Sequence, residues 1–232
     1  MKVSIESASP PTTKATWLDL HDWRVRVARM YGDRDSAHRN REDPKAVLAT
    51  FRAAKDALFA GHRQSPLGPD SRSNFTGLRY FAYDPHLRVP AKLSVDESEE
   101  SVDAPASGPH TMPLRRAANV DFRLAGERAR LTVFWIDVYR GGLFLPFRDA
   151  TCPAESYGAG RYLFDTVKGS GFEPDAAASG DAGGYAGGEI MLDFNYAYNP
   201  SCAYDARWAC PLAPRENWLA AAIRAGERKF DD

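Results

Sequence analysis

Acidic, amide and basic side chains concentrate in two predicted strands of the C-terminal half. In the strand predicted at 190–196, alternation places Asp193 and Asn195 on one face, opposite an apolar face. The strand predicted at 161–167 begins with Arg161. If the two strands pair, the Arg161 guanidinium can bind the Asp193 carboxylate through two hydrogen bonds. The pattern therefore predicts the polar floor of a pocket over a sheet.

The chemistry that these side chains suit is acid–base catalysis on a small molecule, without an organic cofactor. Glu155 or Asp193 would move a proton, and Arg161 would bind an anionic or carbonyl group. The side chains expected to bind the substrate are Arg161, Asn195, Tyr198, Asn199 and Tyr204. The Gly- and Ala-rich segment 169–188 would close over the pocket as a lid. These features favour a cofactor-independent hydrolase or a lyase-type enzyme.

Three other interpretations of the same polar residues stay open. The residues could form a buried network of ion pairs and turn caps, because buried charges need partners whatever their function. The pocket could bind a small ligand without turnover, or the chain could be an interaction or scaffold protein with exposed loops. In a metal-dependent variant of the enzyme hypothesis, Asp193, Glu155 and Asn195 would supply oxygen ligands to Mg²⁺ or Ca²⁺.

His62 is the histidine best placed for catalysis, because it follows a predicted helix in the run GHRQSPL. As a general base it would face the polar cluster on the sheet, with Ser65 as a neighbouring hydroxyl. The simpler interpretation, which the pattern favours, is that its charge complements the dipole at the end of the helix.

The three cysteines are Cys152, Cys202 and Cys210, the last two being eight residues apart in CAYDARWAC. Structural zinc sites place paired cysteines two to four residues apart, and no second pair of that kind exists here. Buried reduced thiols are therefore favoured over a zinc site or a disulfide. A nucleophilic cysteine needs a base, and neither Cys202 nor Cys210 has a histidine within fifty residues, although folding could bring one close.

Composition and charge exclude several classes of function. A net charge of -1 and a pI near 6.5 lack the basic excess of nucleic-acid-binding proteins. No window approaches the roughly 18 apolar residues of a membrane helix, and residues 1–14 lack an apolar signal segment, so they are predicted as a disordered terminus. Neither GxGxxG nor GxxxxGK[ST] occurs. We expect a cytoplasmic protein that binds a small-molecule ligand or substrate, and neither nucleic acid nor membrane, with its oligomeric state left open.

The elements that must position these residues fall into two regions. Apolar residues recur at helical spacing at 15–31 and 44–61, with a break at 32–40, and a sheet-rich region follows from 66 to 232. The predicted strands are 78–83, 88–95, 120–124, 128–135, 143–147, 161–167 and 190–196. The stretches 96–108 and 169–188 are predicted as loops, the second as a flexible insertion. Helices followed by strands predict an α+β fold, with N-terminal helices on a mainly antiparallel sheet or partly closed barrel, in a single domain from 15 to 232.

Several motifs, in order and spacing, carry a resemblance to a known family. They are SPLGPDSR, NFTGLRYFAYDP, LFLPFRDAT, ESYGAGRYL, LDFNYAYNPSCAY, CPLAPRENWL and IRAGE. Together with the helix around 46–59, they resemble the domain of unknown function 1684 family over roughly Val47 to Glu227. The resemblance implies one fold unit with a motif-dense C-terminal half, and it implies no particular reaction. The insertion at 169–188 is longer than the connection usual in the family.

Overall fold

The structure, a computed structural model, describes residues 15–98, 100–109, 111–137, 141–171, 173–174 and 188–230. Within these ranges, N-terminal helices accompany one curled and mostly antiparallel sheet, which confirms the predicted α+β fold. The predicted disordered terminus, 1–14, and most of the predicted flexible insertion, 169–188, lie outside the described residues.

Two long helices form the N-terminal region, and each begins where the sequence supplies a cap. Helix α1 spans Trp17–Arg39, and its first turn is closed by a capping box between Thr16 and Asp19. Helix α2 spans Pro44–Gly61, and the Asp43 side chain accepts hydrogen bonds from two backbone amides of its first turn. A capped start with proline at the first helical position explains why this boundary was predictable.

Helix α1 is longer than predicted, since it continues through Gly32 to Arg39 instead of breaking there. A glycine costs a helix only about 1 kcal/mol relative to alanine, and contacts beyond it offset that cost. The Arg34 guanidinium lies 4.6 Å from the centre of the Tyr31 ring and 5.0 Å from that of Tyr196. This stacking ties the second half of α1 to the sheet.

The sheet contains eight strands among the described residues. They are β1 (Arg88–Val95), β2 (Ser101–Pro105), β3 (Thr111–Leu124), β4 (Glu127–Ile136), β5 (Leu143–Phe147), β6 (Arg161–Asp165), β7 (Glu173–Pro174) and β8 (Glu189–Asp193). Their order is β6-β5-β4-β3-β1-β8-β7, and β2 pairs with β3 outside this path. A short helix, α3 (Pro69–Ser73), connects the helices to the sheet.

The two ends of this strand order approach each other, so the sheet curls into a partial barrel. Tyr162 of β6 and Tyr198, which follows β8, exchange backbone hydrogen bonds of 2.8 and 3.0 Å. The largest apolar cluster takes alternate residues of the strands, such as Val89, Ala91 and Leu93 of β1. Alternation of this kind explains why the strand periodicity was readable in the sequence.

The prediction of a loop at 96–108 was wrong, because β2 lies inside it and β3 begins at Thr111 rather than near 120. Ala104 of β2 is buried, whereas Ser101 and Asp103 point outward. A strand with outward polar residues is typical of a sheet edge, where it resists further pairing. The polar composition of β2 therefore led to the prediction of a loop.

The predicted strands at 78–83 and 190–196 also need correction. In the first segment, backbone groups pair with the C-terminal segment instead: the Phe81 amide donates to the Gly226 carbonyl at 2.9 Å. The second strand ends at Asp193, whose carboxylate accepts a hydrogen bond of 2.9 Å from the Asn195 amide. This bond turns the chain into a 3₁₀ turn, Phe194–Tyr196, so Asn195 does not continue the strand face.

Candidate functional site

The predicted contact between Arg161 and Asp193 is wrong. Their strands, β6 and β8, are not neighbours in the sheet. Asp193 lies opposite Arg88 of β1, with Oδ2 3.6 Å from Nε of Arg88. Arg161 pairs with the Asp149 carboxylate at 3.2 Å. Pairing between strands that are distant in sequence cannot be deduced from the alternation within each strand, which is why the prediction failed.

Arg161 has no solvent-exposed surface and binds the C-terminal segment of the chain. Its guanidinium donates to the carbonyls of Ile223, at 2.8 Å, and of Glu227, at 3.0 Å, and also to that of Ala225. Burial lowers the pKa of the guanidinium, while the Asp149 charge opposes that effect. Because its exposed fraction is 0%, this side chain organises the fold and reaches no ligand in this arrangement.

Asn195 and Asp193 lie together, as predicted, but they fix a turn. The Asn195 amide group donates to the Asp84 carbonyl at 2.8 Å and to the Asp193 carboxylate at 2.9 Å. Its oxygen accepts from the Asp84 amide at 2.9 Å. Burial raises the pKa of Asp193, against the effect of the bonds from Asn195. The pair therefore clamps the segment before β1 onto the end of β8.

The other two predicted catalytic groups are bonded to partners elsewhere. Both Glu155 oxygens accept from the Arg224 guanidinium, the shortest bond being 2.8 Å, and this bonding lowers the pKa of Glu155. His62 lies at the end of α2, with Nε2 3.0 Å from the Asp22 carboxylate and Nδ1 accepting from the Gln64 amide at 3.0 Å. His62 therefore connects α2 to α1 and does not face Glu155 or Asp193.

Three predicted ligand-binding residues, Tyr198, Asn199 and Tyr204, line one cavity between the two long helices and the segment that follows β8. The cavity measures about 70 Å³, which is room for about five water molecules. Its described lining consists of Trp23, Val27, Met30, Tyr31, Phe51, Lys55, Leu58, Phe59, Pro66, Lys168, Ser170, Tyr198, Asn199, Pro200, Ser201 and Tyr204. The site is therefore largely aromatic and apolar.

Lys55 and Glu227 form the polar centre of this region, and neither was among the predicted site residues. The Lys55 ammonium lies 2.5 Å from one Glu227 oxygen. The other Glu227 oxygen accepts from the Asn199 amide at 2.8 Å and from the Tyr204 hydroxyl at 2.5 Å. Lys55 carried a readable signal: it lies four residues from both Phe51 and Phe59, on the apolar face of α2. Glu227 carried only its place in the motif IRAGE.

The comparisons with known proteins agree with this fold. Residues 73–228 match the family described as "Protein of unknown function (DUF1684)". The chain belongs to the DUF1684 family. It is 43% identical to an uncharacterised protein from gene locus rrnAC0354 of Haloarcula marismortui, whose solution NMR structure aligns with a TM-score of 0.57. That alignment covers 79% of this chain and 92% of the other. No curated protein matches the chain.

The family match covers only part of the cavity wall of this DUF1684 protein. Tyr198, Asn199, Tyr204 and Glu227 lie inside the matched range, whereas the wall formed by α1 and α2, including Lys55, precedes it. The polar centre is thus formed by residues from both parts of the chain, Lys55 before the matched range and Glu227 within it.

The charged residues among the described cavity lining of the DUF1684 protein are two lysines. The Lys55 ammonium lies 4.7 Å from the centre of the Tyr198 ring and 5.5 Å from that of Phe59. The Lys168 ammonium lies 3.2 Å from the Asp165 carboxylate. Desolvation is the largest single effect and lowers the pKa of Lys168, but the Asp165 charge, the Cys210 and Cys202 thiols and the hydrogen bond to Asp165 together outweigh it, so the pKa is raised. Lys168 therefore keeps its positive charge at neutral pH, next to the cavity that the Lys55 side chain also lines.

The tyrosines of the cavity wall act as neutral hydrogen-bond donors. Burial is the largest effect on the pKa of Tyr31, Tyr198 and Tyr204, and it raises all three pKa values. The Tyr198 hydroxyl lies 2.8 Å from Oγ of Ser170. Hydroxyls held neutral in this way can orient a ligand, but they do not serve as bases at neutral pH.

The described part of the DUF1684 protein contains no group of three histidine, cysteine or acidic side chains placed to hold a metal ion. The metal-dependent alternative needs Glu155 and Asp193 at one ion, whereas Glu155 is bound to Arg224 and Asp193 to Asn195. Within the same described ranges, no helix has the length and apolar character needed to span a membrane.

Proposed function

We propose that this protein is a binding module for small anions that carry a short apolar body, such as short-chain carboxylates. The observation that supports the proposal is the lining of the cavity: aromatic and apolar side chains surround two cationic groups, Lys55 and Lys168. An apolar wall favours a hydrocarbon body, and a partly desolvated ammonium favours a carboxylate.

Lys55 has donors to spare for such a ligand. An ammonium carries three N–H groups, and Glu227 accepts one of them. The remaining donors are available to a carboxylate in the cavity. Glu227 holds the ammonium in place through its own bonds to Asn199 and Tyr204, so the cation is already positioned before a ligand arrives.

The size of the cavity limits the ligand. A volume of about 70 Å³ accommodates about five water-sized groups, so ligands near the size of butyrate fit and longer chains require the helices to move. Small ligands gain at most about 1.5 kcal/mol for each heavy atom, and most gain much less. We therefore expect dissociation constants between micromolar and millimolar.

Binding without turnover is favoured over acid–base catalysis because the predicted proton-transfer groups do not meet. Glu155 is engaged in an ion pair and His62 in a hydrogen bond to Asp22, both away from the cavity, and Asp193 is bonded to Asn195. Catalysis by a hydrolase- or lyase-type mechanism stays a prediction. The cytoplasmic location, the absence of nucleic-acid or membrane partners and the scaffold alternative likewise stay predictions.

The test is an NMR titration of the isotope-labelled protein with butyrate and with its neutral analogue butyramide. We expect butyrate to bind about tenfold more tightly, which corresponds to about 1.4 kcal/mol, with shifts centred on the amides of Tyr198 and Ser201. Equal affinity for the two compounds, or shifts centred away from the cavity, would contradict the proposal. Octanoate serves as a size control and should bind more weakly than butyrate.

Two variants identify the cation that is responsible. The double variant Lys55→Met/Glu227→Gln removes both charges of the pair and should lose the preference for butyrate over butyramide. Lys45→Met provides the matched control, because Lys45 lies exposed on the same helix. It should retain the preference. Loss of the preference in both variants would show that the preference does not come from the Lys55 ammonium in the cavity.

A further inference from the structure

Two cysteines that the binding site does not use lie next to each other in the fold. Cys202 belongs to the 3₁₀ turn Ser201–Ala203 and is partly exposed, and Cys210 is buried eight residues later. Both are free thiols. The chain between them folds back, so that the two thiol groups interact directly.

Cys210 is fixed by the chain that follows β2. Its backbone amide donates to Oγ of Ser107 at 2.9 Å, and its carbonyl accepts from the Ser107 amide at 2.9 Å. Ser107 also donates through its hydroxyl to the Trp208 carbonyl at 3.1 Å. These bonds hold the backbone of Cys210 against the segment that follows β2.

Cys202 has the surroundings of a reactive thiol. The Tyr157 hydroxyl donates to its sulfur at 3.6 Å. The neighbouring Cys210 thiol is the main effect that lowers the pKa of Cys202 to about 6; the Tyr157 hydroxyl lowers it further, although burial opposes this. The same interaction, together with burial, raises the pKa of Cys210. At neutral pH the pair therefore consists of one thiolate, which is partly exposed, and one thiol, which is buried.

Cys152 provides a contrast within the same chain. Its sulfur lies 3.1 Å from Oγ of Ser156 and 3.6 Å from the Asp149 carboxylate. The Cys152 thiol is thus hydrogen-bonded to this carboxylate and this hydroxyl, and neither of the other two cysteines is bonded to it. Cys152 therefore serves as an internal reference for reactivity.

We propose that Cys202 and Cys210 form a redox site that is oxidised by hydrogen peroxide to a reversible disulfide, with Cys202 as the attacking residue and Cys210 as the resolving residue. The partly exposed position of Cys202 gives peroxide access to its sulfur, while the contact with Cys210 places the second sulfur beside it. The pair adjoins the proposed anion-binding cavity, because Ser201 of the cavity lining precedes Cys202 and the Lys168 charge acts on Cys210.

The steps balance with peroxide as the only oxidant. The Cys202 thiolate attacks one peroxide oxygen and the O–O bond breaks. Cys202 becomes a sulfenic acid, and the hydroxide that leaves takes up a proton to form water. The Cys210 sulfur then attacks the Cys202 sulfur and loses its proton, and the S–O bond breaks to release a second water. Two thiols are oxidised by two electrons as one peroxide is reduced to two waters, and a dithiol reductant reverses the change.

The test uses the reduced wild-type protein, treated with one equivalent of hydrogen peroxide, blocked with N-ethylmaleimide and digested with trypsin. Arg207 lies between the two cysteines, so a disulfide joins two separate peptides, 169–207 and 208–215. We expect this linked pair to form and to disappear with dithiothreitol, while peptide 149–161, which carries Cys152, stays blocked by maleimide. Oxidation of Cys152 at the same rate, or no linked pair, would overturn the proposal.

Two variants assign the roles of the cysteines. In Cys210→Ser, oxidation should stop at a sulfenic acid on Cys202, which dimedone traps. Cys152→Ser is the matched control and should form the linked peptides as the wild type does. In the untreated wild type, maleimide should modify Cys202 at least tenfold faster than Cys152, with the rate rising around pH 6. If the sulfenic acid on Cys202 of the wild type persists and no cross-link forms, Cys210 is not the resolving residue. That result would overturn the proposal.

Discussion

The Lys55 ammonium and the Glu227 carboxylate form an ion pair with 12% and 2% of their side chains exposed and a separation of 2.5 Å. Lys55→Met would leave the Glu227 charge buried beside Asn199 and Tyr204, and removal of one partner of a buried pair costs about 3–5 kcal/mol. We therefore expect this variant to lose about that much free energy of unfolding. Urea denaturation, followed by tryptophan fluorescence, measures the loss.

A double-mutant cycle separates the pair from its surroundings. Glu227→Gln keeps an acceptor for the Asn199 amide and the Tyr204 hydroxyl, so the double variant Lys55→Met/Glu227→Gln should recover part of the loss. We expect a coupling free energy of about 0.5–3 kcal/mol, the range for residues in direct contact. Additive effects of the two substitutions would contradict the role given to this pair.

Arg161 is expected to contribute to stability and not to ligand binding. Arg161→Met leaves the Asp149 carboxylate buried without its cation, so we expect a loss of about 3–5 kcal/mol or failure to fold. Arg130→Met is the matched control: Arg130 pairs with Asp121 at the surface, where 63% and 43% of the side chains are exposed. That substitution should cost less than about 1 kcal/mol. Similar losses in the two variants, measured by thermal unfolding, would contradict the structural role.

The different outcomes for Arg161 and Lys55 show what the sequence could and could not predict. Alternation along a strand identifies which residues share a face, but it does not identify the strand across from them. Arg161 was correctly placed on a strand, yet its partner is Asp149, supplied by the turn after β5, and not Asp193. The order of the strands depends on the whole sheet, and no local pattern in the chain encodes it.

The candidate site was half predictable for a related reason. Tyr198, Asn199 and Tyr204 follow the strand predicted at 190–196, so their placement near a sheet end could be expected. The opposite wall of the cavity comes from α1 and α2, whose packing brings Lys55 to the same place. The position of Lys55 on an apolar helix face was a usable signal, because a charged residue on such a face must find a partner when the helix packs.

Gly226 is required by close backbone contacts next to Glu227. Its φ angle is +71°, and a Cβ atom added there would collide with the Ala197 carbonyl oxygen. The carbonyl belongs to rigid backbone, so Gly226→Ala should destabilise the protein by more than about 1 kcal/mol. Gly32→Ala is the matched control, since open space surrounds Gly32 within helix α1. It should stabilise the protein by about 0.5–1 kcal/mol. Calorimetry of both variants measures the two changes in stability, which should have opposite signs.

Asp56 of α2 gives the protein a predictable dependence of stability on pH. Its carboxylate accepts from the Leu78 amide at 3.2 Å and from the Tyr80 hydroxyl at 3.0 Å, but burial is the larger effect and raises its pKa above the ordinary value of 3.8. Between the unfolded pKa and the higher folded pKa, the folded state binds more protons than the unfolded state. The Asp56 contribution to stability is therefore most favourable below this window and decreases as the pH rises through it.

Asp56→Asn removes this titration while keeping an oxygen that can accept both hydrogen bonds. The free energy of unfolding of the variant, relative to wild type, should thus increase from pH 4 to pH 7. Asp70→Asn, at an exposed position in α3, controls for the loss of one negative charge. Urea denaturation at several pH values measures the difference directly. If the difference between Asp56→Asn and wild type stays constant or decreases across this range, burial does not dominate the titration of Asp56, and its bonds to Leu78 and Tyr80 are the stronger influence.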